Sequence, residues 1–208
     1  RADRRGEGNC GICGADDRVP SADNNFGRLF PVGCSATVFN EEGCLVTAGH
    51  CLGQGGVVQF NVPPSNADGS TNNPPVNDQF PVINEGGTDA GVGADYGAVL
   101  VGVNGNNNLP HQEYGTFIPL ADSIPSSGTL SVRGCGVDSG DPDRSQTQQF
   151  HDGPILSVGG TSITYDIDVT FGNSGSSIIY DGAIIGVVTH CSGGCENYGN
   201  RIDDPAFV

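Results

Sequence analysis

Residues 33–51, GCSATVFNEEGCLVTAGHC, hold two short apolar runs, GCSATVFN (33–40) and CLVTAGH (44–50), parted by a charged turn. Both are rich in β-branched residues and bounded by Gly and Asn, and neither is long enough to complete an amphipathic helix. They read as strands. The same punctuation recurs outward. GVVQFNV (56–62), DQFPVI (78–83) and ADYGAVLVGV (94–103) follow, with a Pro- and Asn-rich loop at 61–78 and a turn at NGNNNLP (104–110). A second set, TLSVRGCG (129–136), QQFHDGPILSV (148–158), SITYDIDV (162–169), SSIIYD (176–181) and AIIGVVTH (183–190), begins beyond PLADSIPSSG (119–128). About ten strands in two groups, and no helix longer than a turn or two, predict an all-β chain built as two barrels or a pair of sandwiches.

The 208 residues suffice for one large domain or two small ones sharing a core. No run of about 18 apolar residues occurs that would span a membrane. The start, RADRRGEG, is polar and basic without a Met, and reads as a processed product that has lost its signal segment. Acidic residues number 24 against 8 arginines and no lysine, for a net charge of −16. That balance disfavours nucleic acid and anionic membranes as partners, since both reward positive charge. Eight cysteines, an even count, suggest disulfides and an extracellular compartment. The rival is zinc held by Cys10, Cys13, Cys191 and Cys195; the second pair lacks the usual two-residue gap, and disulfides are preferred.

Three further features bear on chemistry. His50 ends a β-rich run, Asp95 heads an apolar strand, and Ser174 sits in TFGNSGSS (170–177). Each alone is ordinary: a structural His, a strand-capping Asp, a turn Ser. In the order His, Asp, Ser they form a set that nucleophilic catalysis needs. A serine hydroxyl is too weak a nucleophile unless an imidazole takes its proton and a carboxylate orients that imidazole. Gly172 and Gly175 flank the serine, where two backbone N–H groups must converge on an oxyanion, each worth about 3–4 kcal/mol. An α/β-hydrolase elbow would need Gly where Ser176 stands, and a different chain order. Asp-Ser-Gly at 138–140 mimics a nucleophile motif, but Ser139 lacks a preceding Gly and is followed by Asp141; it reads as a turn. His111 and His151 read as structural.

On these motifs, together with YDIDVTFGNSGSSII (165–179) and IIGVVTHCSGGC (184–195), the chain resembles chymotrypsin-fold serine peptidases over about residues 14–200. Among them it is most similar to the bacterial branch of V8-like glutamyl endopeptidases. The resemblance implies two six-stranded antiparallel β-barrels with the active site between them. A lead-in (1–25) would precede a first barrel (26–120) carrying His50 and Asp95, and a second barrel (121–208) would carry Ser174. It implies a secreted, monomeric endopeptidase acting on proteins or peptides without a cofactor. The oxyanion hole would be the N–H groups of Gly172 and Ser174. Cys34 and Cys51 match the family's bridge behind the His loop. Cys191 and Cys195 are expected to form a local bridge, and Cys10, Cys13, Cys44 and Cys135 stay unassigned. No ligand motif supports calcium.

Two departures matter. Trypsin has Asp directly before its nucleophile, paired with a new terminal amine; Asn173 stands here, so no such ion pair is expected, and trimming residues 1–12 should spare activity. The specificity (S1) pocket is open to three readings, with Asp168, Val169, Val188, Thr189 and His190 as its candidates. Asp168 stands where trypsin-like members select basic residues, although V8-like relatives carry Asp there too. Glutamate readers use a Thr at the position of Val169 and a His that aligns with either Val188 or His190. An apolar or broad pocket is the third reading.

Overall fold

The structure, a computed structural model, describes residues 11–192 and 195–203. It is nearly all β, as the turn-punctuated sequence predicts. After a two-residue strand β1 (Val19–Pro20), the first barrel comprises β2 (Phe26–Phe30), β3 (Cys34–Val38), β4 (Cys44–Thr47), β5 (Val57–Gln59), β6 (Gln79–Asp89) and β7 (Asp95–Val101). They close in the order β2-β3-β4-β7-β6-β5. A short helix α1 (Pro110–Tyr114), ended by a left-handed Gly115, lies on the way to the second barrel. There β8 (Thr129–Gly134), β9 (Gln149–Val158), β10 (Ser162–Tyr165), β11 (Ser177–Tyr180), β12 (Ala183–Cys191) and β13 (Asn197–Arg201) run in the order β9-β10-β13-β12-β11-β8. The β8–β9 pairing closes the ring, and β1 adds itself to β9.

Four strands exceed the sequence reading, the two-residue β1 within the expected lead-in among them. β2 and β13 had no expected counterpart, and β6 continues from DQFPVI through NEGGTD to form a long hairpin with β7. In the other direction, SITYDIDV is a strand only as far as Tyr165.

Closure buries apolar side chains on the inside of each ring. Leu29, Ala36, Val38, Leu45, Val58, Phe60, Phe80 and Val99 fill the first. Leu130, Val132, Ile163, Tyr165, Ile167 and Ile185 fill the second. Each fully buried aliphatic or aromatic side chain stabilises the fold by about 1.5–3 kcal/mol. Ile179, Ile184, Val187 and Ile202 of the second barrel belong to the first barrel's cluster. The two rings therefore share apolar surface, and the seam between them is fixed by packing.

Two disulfides join described cysteines. Cys34–Cys51 is the bridge expected behind the His loop. Cys195 does not pair with Cys191: it bridges to Cys13, which ties the lead-in to the loop after β12. The expectation failed because nearness in sequence was taken for nearness of the Sγ atoms, whereas the lead-in runs beside that loop. Cys191 is itself disulfide-bonded. Cys44 and Cys135 are free, so the even count did not mean full pairing. Burial pushes the Cys135 thiol up to about 12, which makes it inert at neutral pH. Cys10 lies outside the described residues. The Cys13–Cys195 bond consumes two of the four sulfurs that the zinc reading required.

Candidate active site

His50 occupies a single 3-10 turn, Gly49–Cys51, directly after β4. A side chain at Gly49 would collide with the Thr88 carbonyl of β6, so only glycine lets the turn pack against that strand. Cys51, the next residue, is bridged to Cys34 at the head of β3. Asp95 is the first residue of β7, which pairs with β4 through Thr47↔Gly97. That register carries the carboxylate under the imidazole.

The contact is close. His50 Nδ1 lies 2.6 Å from Asp95 Oδ2, and the His50 amide donates to Asp95 Oδ1 at 2.9 Å. The Asp95 side chain is 0% exposed, while that of His50 keeps 30%. Burial alone would raise the carboxyl pKa. The His50 hydrogen bonds, with the charges of His50 and His190, more than offset it, so Asp95 lies below the ordinary carboxylate value. Its own amide donates to Asn200 Oδ1, on β13, at 3.1 Å. His190, on β12, brings its Nδ1 to 3.7 Å from Asp95 Oδ2, with its ring edge-on to His50 at 6.1 Å. Two imidazoles thus face one buried carboxylate.

Ser174 lies on the loop between β10 and β11. The Ser35 amide, on β3 of the first barrel, donates to the Ser174 carbonyl at 2.8 Å, and the Ser35 hydroxyl donates to the Gly172 carbonyl at 2.8 Å. Gly172 and Gly175 sit at φ +96° and +86°, where other residues are strained. A side chain at Gly175 would also strike the Ser35 carbonyl and the Thr47 hydroxyl. Asn173 is buried; its Oδ1 accepts the Thr170 amide at 2.9 Å, and its own amide returns to the Thr170 carbonyl at 3.0 Å. Among the described residues, neither the Gly172 nor the Ser174 N–H has an acceptor, and the Ser174 hydroxyl has no partner within hydrogen-bond distance.

A scan of family models found none that matches the chain, and no curated protein matches it. Solved structures do. A Glu endopeptidase in complex with MPD superposes with a TM-score of 0.73 at 19% identity, over 94% of this chain and 95% of that one. The chain has the chymotrypsin fold. A thermostable serine protease, AL20, from an extremophilic microorganism shares the chymotrypsin fold at TM-score 0.61 and 17% identity, covering 85% and 87% of the two chains. So does a mutant of human heparin binding protein, at 0.67 and 14%, covering 92% and 91%.

Within this chymotrypsin fold the candidate pocket residues part company. Val169, Val188 and Thr189 are buried. Asp168 is buried too, and both of its oxygens are occupied: Oδ1 accepts the Cys13 amide and Oδ2 the Asp17 amide, each at 2.9 Å. His151, read from sequence as structural, accepts the Asp168 amide on Nδ1 at 2.8 Å. Asp17, His151 and Asp168 gather closely enough to suggest a metal site, but the His151 nitrogen nearest the cluster already serves the backbone. His190 keeps 37% of its side chain exposed. His111 stands apart, 3.8 Å from Glu41. Ser139 follows a turn closed by Asp138, whose Oδ1 accepts the Gly140 and Asp141 amides. Ser35, Asn200 and Arg18 support the site and were not singled out in the sequence. A serine in a β-run, an asparagine near the end and an arginine in a polar segment carry no motif.

Proposed function

We propose that the chain is a serine endopeptidase, secreted and acting on proteins or peptides through a Ser174–His50–Asp95 triad. The observation that carries this reading is the buried Asp95 carboxylate gripping His50 at 2.6 Å, beside a serine loop whose Gly172 and Ser174 N–H groups lack protein acceptors. Ser174 Oγ attacks the scissile carbonyl while His50 Nε2 takes its proton. Asp95 holds the Nδ1–H tautomer and stabilises the imidazolium that forms. The two free N–H groups receive the oxyanion, where each donor contributes about 3–4 kcal/mol. His50 then protonates the leaving amine. Water, deprotonated by the same imidazole, hydrolyses the acyl-enzyme and regenerates Ser174. The Ser174 hydroxyl has no partner among the described residues, and catalytic hydrogen bonds of this kind commonly form only when substrate is bound.

The pocket reading narrows. A carboxylate that selects basic side chains must be free to accept from them, and Asp168 is buried and spent on lead-in amides. Asp168 is therefore an anchor for residues 13–17. Glutamate selection through the part-exposed His190, or an apolar pocket, remains. The disulfides agree with an oxidising compartment. Among the described residues no helix is long and apolar enough to cross a membrane. The second reading, a catalytically silent binding module, draws on the likeness to heparin binding protein. A net charge of −16 opposes a polyanionic ligand, and no triad residue is missing.

The test is cleavage of a diverse peptide library at about pH 8 by the wild type and by Ser174→Ala. Cutting by the wild type alone supports the peptidase, and the residue before the cut separates glutamate from apolar selection. Equal cutting, or none with no labelling by a serine-directed fluorophosphonate, rejects it.

A further inference from the structure

Arg18 lies in the lead-in, yet it is only 3% exposed. β1, which follows it, pairs with β9 through Val19↔Phe150 and Pro20↔Gln149, and this delivers the guanidinium to the base of the serine loop. Its Nε and Nη2 donate to the Asp16 carboxylate at 2.9 and 2.7 Å. Nη1 donates to Gln149 Oε1 at 2.5 Å and to the Thr170 hydroxyl at 2.7 Å, and Nη2 also donates to the Val137 carbonyl at 3.2 Å. A guanidinium has five N–H groups, and all are used. A buried charge satisfied this fully is held in one position.

What it holds is the frame of the oxyanion donor. The Thr170 hydroxyl, which accepts from Arg18, donates to the Val137 carbonyl at 2.7 Å. The Val137 amide donates to the Phe171 carbonyl at 2.7 Å. Phe171 C=O and Gly172 N–H belong to one planar trans peptide and point in opposite directions. Fixing the carbonyl on Val137 therefore fixes the N–H away from it, where it has no protein acceptor. A side chain at Gly136 would strike Arg18 Nη1, the Thr170 hydroxyl and Asn173 Oδ1 together, so this segment lies flat against the same group of atoms.

We infer that Arg18 is a positioning residue for catalysis: from the lead-in, through Thr170 and Val137, it sets the orientation of the Phe171–Gly172 peptide and hence of the Gly172 oxyanion donor. The inference rests on the peptidase reading. A misplacement of about 1 Å in such a group can cost about 10²-fold in rate.

The experiment compares the wild type with Arg18→Gln and Thr170→Val, the second removing the link while leaving the charge. For each, kcat and KM on a cleaved peptide, affinity for a peptide boronic acid (which forms a tetrahedral adduct at Ser174) and affinity for the cleaved product are measured, with thermal unfolding to establish folding. The expected result is kcat lower by about 10²-fold in Arg18→Gln and by less in Thr170→Val. KM and product affinity hold, and boronate affinity falls in step with kcat. Should Arg18→Gln not fold, Thr170→Val decides alone. A folded variant with wild-type kcat, or one whose loss lies wholly in KM, overturns the inference while the peptidase reading stands. A wild type that neither cleaves peptides nor reacts with fluorophosphonate overturns both.

Discussion

The two barrels hold their share of the site in different ways. In the first, His50 and Asp95 are placed chiefly by the β4–β7 register and by a bridge between Cys34 and Cys51, both local to that ring, with the Asp95 amide also reaching Asn200 of the second barrel. In the second, the Ser174 loop is held from its own barrel by Val188, whose carbonyl accepts the Gly175 amide, and from outside by Ser35 of the first barrel and by Arg18 of the lead-in. A dyad built into a sheet tolerates change elsewhere, whereas a loop fixed from three directions depends on parts far away in sequence.

The largest expected effect removes the proposed nucleophile. Ser174→Ala should lower kcat by about 10⁶-fold in a peptide-hydrolysis assay, with product affinity unchanged. Asp95→Asn comes next, at about 10⁴-fold in kcat. It should also alter acid stability, in a definite direction. The folded pKa of Asp95 is depressed. Its contribution is therefore complete above the unfolded carboxylate value of about 3.9 and is lost as pH falls through the lower folded value. Asp95→Asn should flatten the slope of stability against pH in that acid range, read by urea unfolding at stepped pH.

Two smaller effects test the contrast itself. Opening the Cys34–Cys51 bridge by Cys34→Ser with Cys51→Ser releases a short loop, with a sequence separation of 17. The expected loss is about 3 kcal/mol in denaturant unfolding. If the dyad is held by its own barrel, fluorophosphonate labelling of Ser174 should slow because His50 shifts, while boronate affinity lost to a misplaced oxyanion donor should be slight. Ser35→Ala removes a hydroxyl that donates to the Gly172 carbonyl, a part-buried contact, and accepts the Cys135 amide, a buried one. It should cost about 1–3 kcal/mol and lower kcat, although Ser35 belongs to the first barrel. A Ser35→Ala enzyme with wild-type kcat would mean that the serine loop supports itself, and the contrast between the barrels would fall.

The same contrast explains what the sequence disclosed. The all-β class follows from short β-branched runs, and the Cys34–Cys51 bridge was expected from the family resemblance carried by one stretch. β2, FGRLF, escaped because Arg28 marks it as surface. Arg28 is in fact buried, its Nε and Nη2 donating to Gln59 Oε1, Nη2 also to the Asn72 carbonyl and Nη1 to the Gln146 carbonyl. β13, NYGNR, reads as a polar turn. Its asparagines are buried because Asn197 donates to the Gly11 and Ile167 carbonyls and Asn200 accepts the Asp95 amide. Polar residues at such positions show their role only once their distant partners are known. Asp168 is a related case: its position suggested a pocket selector, and the lead-in that occupies it has no motif.

The bond between Cys13 and Cys195, 182 positions apart, turns most of the polypeptide into a covalent ring. A ring survives one cut. An internal nick, for instance in the exposed Pro- and Asn-rich loop at 61–78, leaves the two barrels on a single molecule until a reductant opens the bond. For a protein proposed to live among peptidases, and to be one, damage of that kind would not by itself separate His50 from Ser174.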